Sequence, residues 1–179
     1  MKRLFGALAL AVAASFGTSS EAQAQFTFGP GLAYHEDADL GIGVWASLPT
    51  PSIHEQISAW GSFIYFFPGG EDIPGGGSFD VNYWELNGGL SYAFPMEGSA
   101  ITPYALAGLN IARASADYDG PFDEFIDEGY GDTEIGLNLG GGIRTMLGDS
   151  MTGVVGARIE LGGGDGFVIE AGVGFPMGN

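Results

Sequence analysis

From residue 26 onward the apolar residues return at every second position, in short stretches, and a period of two is the signature of a strand with one oily and one polar face. The clearest stretch covers residues 132–147, where Ile135, Leu137, Leu139, Ile143 and Leu147 share one parity and Glu134, Asn138 and Arg144 the other. Residues 166–176 repeat it with Phe167, Ile169, Ala171, Val173 and Phe175 against Val168, Glu170, Gly172 and Gly174. Residues 151–162, 39–48 and 79–94 alternate in the same way, and runs at about 26–35, 55–67 and 100–114 bring the set to eight. Two of the eight are irregular. In 55–67, Trp60, Ile64 and Phe66 oppose Phe63, Tyr65 and Phe67, and in 100–114 Arg113 shares parity with Leu109 and Ile111. A β-bulge in each would reconcile them.

The alternation excludes a helical membrane protein, because after the N-terminal stretch no segment approaches the ~20 continuous apolar residues that a transmembrane helix needs. The hydrophobic fraction is nonetheless 45%, spread among 33 glycines, as strands divided by turns spread it. The beginning of the chain reads differently. Lys2 and Arg3 precede an apolar run from Leu4 to Phe16 that is too short to span a bilayer, and Ala22-Gln23-Ala24 fits the small-x-small rule of signal peptidase. Residues 1–24 are therefore expected to be a signal peptide and residues 25–179 a single all-β domain. The absence of cysteine removes disulfides and thiolate chemistry. A net charge of −17 with few cations leaves no footprint for nucleic acid, whose phosphates need clustered Lys and Arg.

Strands of roughly 10 residues suit a tilted crossing of hydrocarbon better than a soluble sandwich. The links alternate in length: 49–54, 95–99 and 148–150 are short, whereas 68–78 and 115–131 are long and share their end with two tight links at 36–38 and 163–165. Short turns at one rim and longer loops at the other predict an eight-stranded antiparallel up-and-down transmembrane β-barrel.

Three phrases carry a resemblance to a known family: Thr102-Pro103-Tyr104-Ala105-Leu106-Ala107-Gly108-Leu109-Asn110, Ile135-Gly136-Leu137-Asn138-Leu139-Gly140-Gly141-Gly142-Ile143-Arg144, and Ala157-Arg158-Ile159-Glu160. With them the chain after the leader resembles the small outer-membrane barrels of Gram-negative bacteria, the group of outer-membrane protein X, the attachment-invasion proteins and the barrel half of outer-membrane protein A. The resemblance implies export to the cell outer membrane, assembly by the barrel-assembly machinery, and a surround of lipid and lipopolysaccharide. It implies no cofactor. One departure stands out: members generally end on a terminal aromatic, and here Phe175 is followed by Pro176-Met177-Gly178-Asn179. The assembly signal is then internal, or the barrel is assembled atypically.

Once Lys2 and Arg3 leave with the leader, the cations among the five basic residues are Arg113, Arg144 and Arg158, all inside expected strands. A charge facing lipid at mid-depth costs on the order of 2–4 kcal/mol, so all three are expected to point inward, into an ion-pair network with Glu85, Glu134, Glu160 and Glu170. If the last hairpin is symmetric about Gly164, Arg158 lies directly opposite Glu170. Eight strands leave an interior just filled by side chains, so the network is expected to rigidify the lumen rather than conduct.

The longest link carries Asp117, Asp119, Asp123, Glu124, Asp127 and Glu128 among aromatics. Clustered carboxylates suit a hard cation, but Asp117-x-Asp119-Gly120 does not continue into a calcium loop. Asp117, Asp119, Asp123 and Glu124 are the nearest approach to a metal site, and the expected state of the loop is a solvated, mutually repelling surface with an unassigned partner at most. His35 and His54 fall at opposite rims, roughly 25 Å apart in the barrel, and no catalytic site is expected. The competing reading is a soluble lipocalin-like carrier of an apolar ligand, hinted at by Gly43-x-Trp45. It would turn the oily parity inward and the charges outward.

Overall fold

A computed structural model of the 179-residue chain describes residues 26–68, 71–72, 78–119, 130–162 and 164–177. The expected signal peptide, Asp123, Glu124, Asp127 and Glu128 lie outside the described residues. The elements are β1 (Phe26–His35), β2 (Asp39–Pro49), β3 (Ile57–Phe66), a two-residue β4 (Glu71–Asp72), β5 (Ser78–Ala93), β6 (Ile101–Asp119), β7 (Tyr130–Leu147), β8 (Met151–Leu161) and β9 (Gly166–Met177). Their order in the sheet is β3-β2-β1-β9-β8-β7-β6-β5-β4, and β3 also pairs with β5. That extra pairing closes eight antiparallel strands into a barrel, leaving β4 as a short ladder on the end of β5. Closure removes the unpaired edges, which is the condition for strands to sit in hydrocarbon.

Strand boundaries fall within a few residues of the alternation pattern except at the longest link, where β6 and β7 continue pairing out to Ala116↔Tyr130. Small residues at 112, 114, 115 and 116 carry little hydropathy contrast, so the extension left no period to read. The expected bulges are absent: the register of β3 against β2 and β5, and of β6 against β5 and β7, holds one offset along each ladder. The irregularity of β3 has another cause. Ile64 and Phe66 point into the barrel, where they pack with Ala33, Ala38 and Val168 in a small apolar core near the end that carries the long links.

Elsewhere the two faces sort by polarity. Leu32, Ile42, Leu109, Ile135 and Leu137 on the outside are between 54% and 69% exposed, whereas Glu85, Asn110 and Asn138 on the inside are at 0%. This inverts a soluble protein and a lipocalin alike, and only surrounding hydrocarbon makes such a wall stable. Inward glycines create the room for large interior rings. A Cβ at Gly172 would lie 2.5 Å from the Trp45 indole nitrogen, and one at Gly156 would lie 2.5 Å from the Tyr104 hydroxyl.

Candidate functional site

The interior has two halves with different chemistry. Toward the end bearing the long links, Arg158 of β8 reaches across the lumen: Nε donates to Glu160 Oε1 at 2.8 Å, Nη1 to Glu170 Oε2 at 2.6 Å and Nη2 to Glu85 Oε2 at 2.7 Å. Alternation puts Arg158 and Glu160 on one face of β8, and closure of the barrel brings Glu85 of β5 to them from the far wall. Arg158, Glu85 and Glu160 are buried, and the Glu170 side chain is one-fifth exposed. Amides extend the network: Asn110 Nδ2 donates to Glu160 Oε2 at 2.9 Å, and Asn138 Nδ2 to Asn87 Oδ1 at 2.7 Å. Charged groups enclosed this tightly are tolerable only when each is bonded, since desolvation costs several kcal/mol per ion.

The hairpin that carries the pair differs from expectation. Val168, not Glu170, lies opposite Arg158, and Glu170 faces Gly156. The turn is centred one residue earlier than Gly164, which slides the ladder by two, and the long Arg158 side chain spans the diagonal instead.

The other expected members separate. Arg144 stands in the half nearer the tight turns, where Nη2 donates to Ser91 Oγ at 2.8 Å and the guanidinium carbon lies 4.6 Å from the centre of the Tyr104 ring. Glu134 shares the inward parity but sits exposed at the mouth, accepting the Gly164 N–H at 3.2 Å. Arg113 contradicts the inward expectation: it is exposed on the outer face beside Thr133, to whose Oγ1 it donates at 3.1 Å. Its parity with Leu109 and Ile111 decided its side. The cost is small because it stands four residues beyond Leu109 toward the rim, and charge on the outer wall costs about 0–1 kcal/mol near an interface. Asp117 and Asp119 fall within β6, in the ribbon that β6 forms with β5.

His35 joins the buried cluster, which the sequence reading missed. Its Nδ1 accepts the Asp37 N–H at 3.0 Å, so the proton is on Nε2, which lies 3.3 Å from Gly164 O and 4.0 Å from Glu85 Oε1. The ring meets Phe66 and Tyr83 edge-on, and Gly166 leaves the space for it, since a Cβ there would come 2.6 Å from the imidazole. The available signal was its parity with Ala33, which places it inside the barrel at the last residue of β1. Between the two halves lies a cavity of about 50 Å³ walled by Trp45, Ser62, Tyr104, Arg144 and Glu170 among others. It has room for a few water molecules at about 10–15 Å³ each.

With this geometry in hand, solved structures give the architecture its context. The N-terminal β-barrel domain of Pseudomonas aeruginosa OprF matches with a TM-score of 0.61 at 14% identity, covering 87% of this chain and 98% of that one. A major outer membrane protein from Thermus thermophilus matches with a TM-score of 0.67 at 11% identity, covering 86% and 99%. Ail of Yersinia pestis, in complex with the heparin analogue sucrose octasulfate, matches at 0.54 and 13% identity, covering 86% and 97%. This chain has the fold of the small eight-stranded outer-membrane barrels. No protein-family model matches it, and no curated protein does. At these identities the likeness fixes the fold and leaves the lumen to be read from its own residues.

Proposed function

We propose that this chain is an integral outer-membrane barrel, exported with residues 1–24 as its signal peptide, whose lumen is plugged and whose role is structural or surface-interacting rather than catalytic. The observation that carries the plug is the Arg158 guanidinium, held by three carboxylates from β5, β8 and β9 and itself almost completely inaccessible. An ion following the axis would have to part those bonds, and breaking a buried pair by losing one partner costs about 3–5 kcal/mol. The barrel-assembly machinery inserts the chain, and lipid with lipopolysaccharide covers the belt of Leu32, Ile42, Leu137 and Ile135.

The surface partner suggested by charge is cationic. Outside the lumen Arg113 is the one cation after the leader, against an overall charge of −17, so a sulfated sugar of the kind bound by Ail would be repelled here. Planar-bilayer recording tests the plug. The folded protein is expected to give no stable open level, and a steady, ion-selective conductance would refute the plugged lumen.

A further inference from the structure

The buried cluster is short of positive charge. Three carboxylates, Glu85, Glu160 and Glu170, face one guanidinium, and His35 Nδ1 accepts the Asp37 N–H. Carboxylates therefore outnumber the guanidinium in a space closed except on the side where Glu170 meets the cavity. Glu85 is wholly buried, and its Oε1, 4.0 Å from His35 Nε2, accepts no hydrogen bond, while the Tyr83 hydroxyl and the Glu160 carboxylate face the same carboxylate. A buried charged oxygen left in this state is costly, and its position indicates what would satisfy it.

We propose that His35, Glu85 and Glu160 form a binding site for one divalent transition-metal ion of the zinc type. One nitrogen of His35 and one carboxylate oxygen from each glutamate lie within 4.8 Å of one another. Ligand atoms around a tetrahedral zinc at ~2.0–2.2 Å are separated by a little over 3 Å, so side-chain movements below about 1 Å complete the set. The donor types select the ion. Imidazole with carboxylates suits zinc, whereas calcium asks for about 6–8 oxygens, more than two glutamates supply in a packed lumen.

A divalent cation also offsets the excess of carboxylates over guanidinium around the site. Arg158, bonded to the other oxygen of Glu85 and to Glu160, orients both ligands, as hydrogen-bonding neighbours of metal ligands do. Binding has two internal consequences, the first being that Gly164 O loses the Nε2–H beside it. Metal on Nε2 displaces the proton there, neutral imidazole then carries its proton on Nδ1, and the Asp37 N–H loses its acceptor.

The test uses the full-length mature barrel folded in detergent in metal-free buffer, exposed to zinc chloride, desalted, and assayed for bound zinc. About one zinc per barrel is expected in the wild type, at least tenfold weaker retention in Glu85→Gln and His35→Gln, and unchanged retention in Glu134→Gln at the mouth. Absence of zinc in the wild type, or equal retention in the two lumen variants, which would put the ion on the acidic exterior, overturns the proposal. Should the variants fail to show the folded, heat-modifiable gel band, the wild type decides alone. Cobalt is then expected to give the visible absorption of a four- or five-coordinate nitrogen-oxygen site, and zinc to move the Asp37 amide resonance; neither change occurring overturns the site. The inference rests on the closed-lumen reading in needing a dry cluster, yet the two fail separately, since metal uptake and conductance are independent measurements.

Discussion

Arg158 and Arg144 occupy one lumen on neighbouring strands, yet Arg158 is gripped by three carboxylates whereas Arg144 makes no ion pair among the described residues, resting on Tyr104 and donating to Ser91. The difference follows what lies on the facing wall. Around Arg158, β5, β8 and β9 each bring one inward glutamate within bonding reach. Around Arg144 they are serine, tyrosine and glycine, and a cavity adjoins them. A guanidinium is therefore accommodated in two ways: by full charge neutralisation where the lumen is closed, and by ring stacking and hydroxyl bonding where water has room.

Removing the charge at the closed half should have the largest effect. Arg158→Met leaves three carboxylates facing one another without a cation, and about 3–5 kcal/mol of unfolding free energy should be lost, read by urea titration of the barrel in detergent micelles. Adding Glu85→Gln, Glu160→Gln and Glu170→Gln to that variant should recover most of the loss. If the fourfold variant is no better than the single one, the cost lies in packing and the contrast between the halves is not one of charge.

A third arginine placed outside the barrel completes the comparison. Leu139 faces outward on β7, midway along the strand, so Leu139→Arg should destabilise by about 2–4 kcal/mol in lipid. A change near zero in lipid vesicles would mean that this face is not in hydrocarbon.

How much of this was legible beforehand differs between wall and lumen. The wall was written in period-two alternation, which β7 and β9 show most clearly, and sidedness follows from it. The lumen depends on which residues from distant strands share a height, and that is set by register. A turn centred one residue away from Gly164 moved Glu170 off the position opposite Arg158, and nothing local in residues 162–165 announces it. His35 was missed for a related reason: it belongs with Glu85 and Glu160 only after the barrel closes. At β3 the pattern was read correctly but explained wrongly, since oily residues on both faces meant an apolar patch inside, not a bulge.

At the open half the expected effect is smaller. Arg144→Met keeps the stem and removes one hydrogen bond to Ser91, worth about 1 kcal/mol, together with the stacking on Tyr104. A total loss of about 1–2 kcal/mol is expected in the same urea assay. A loss equal to that of Arg158→Met would erase the distinction between the two halves and point to an undetected charged partner for Arg144.

Arg113 supplies the lower bound. It stands on the outer wall with Thr133 as hydrogen-bond partner, exposed, toward the end of β6 that extends past the lipid-facing Leu109. Two forces opposed each other there: alternation turned it outward, and the cost of charge near lipid turned it inward. Height resolved the conflict, because that cost falls to about 0–1 kcal/mol near the interface while a register slip to bury it would have turned every neighbouring residue to the wrong face. Arg113→Ala should accordingly shift unfolding by no more than about 0.5 kcal/mol in urea. A loss above 2 kcal/mol would place this residue inside the structural network with Arg158 and make exposure a poor guide to which arginines hold the barrel together.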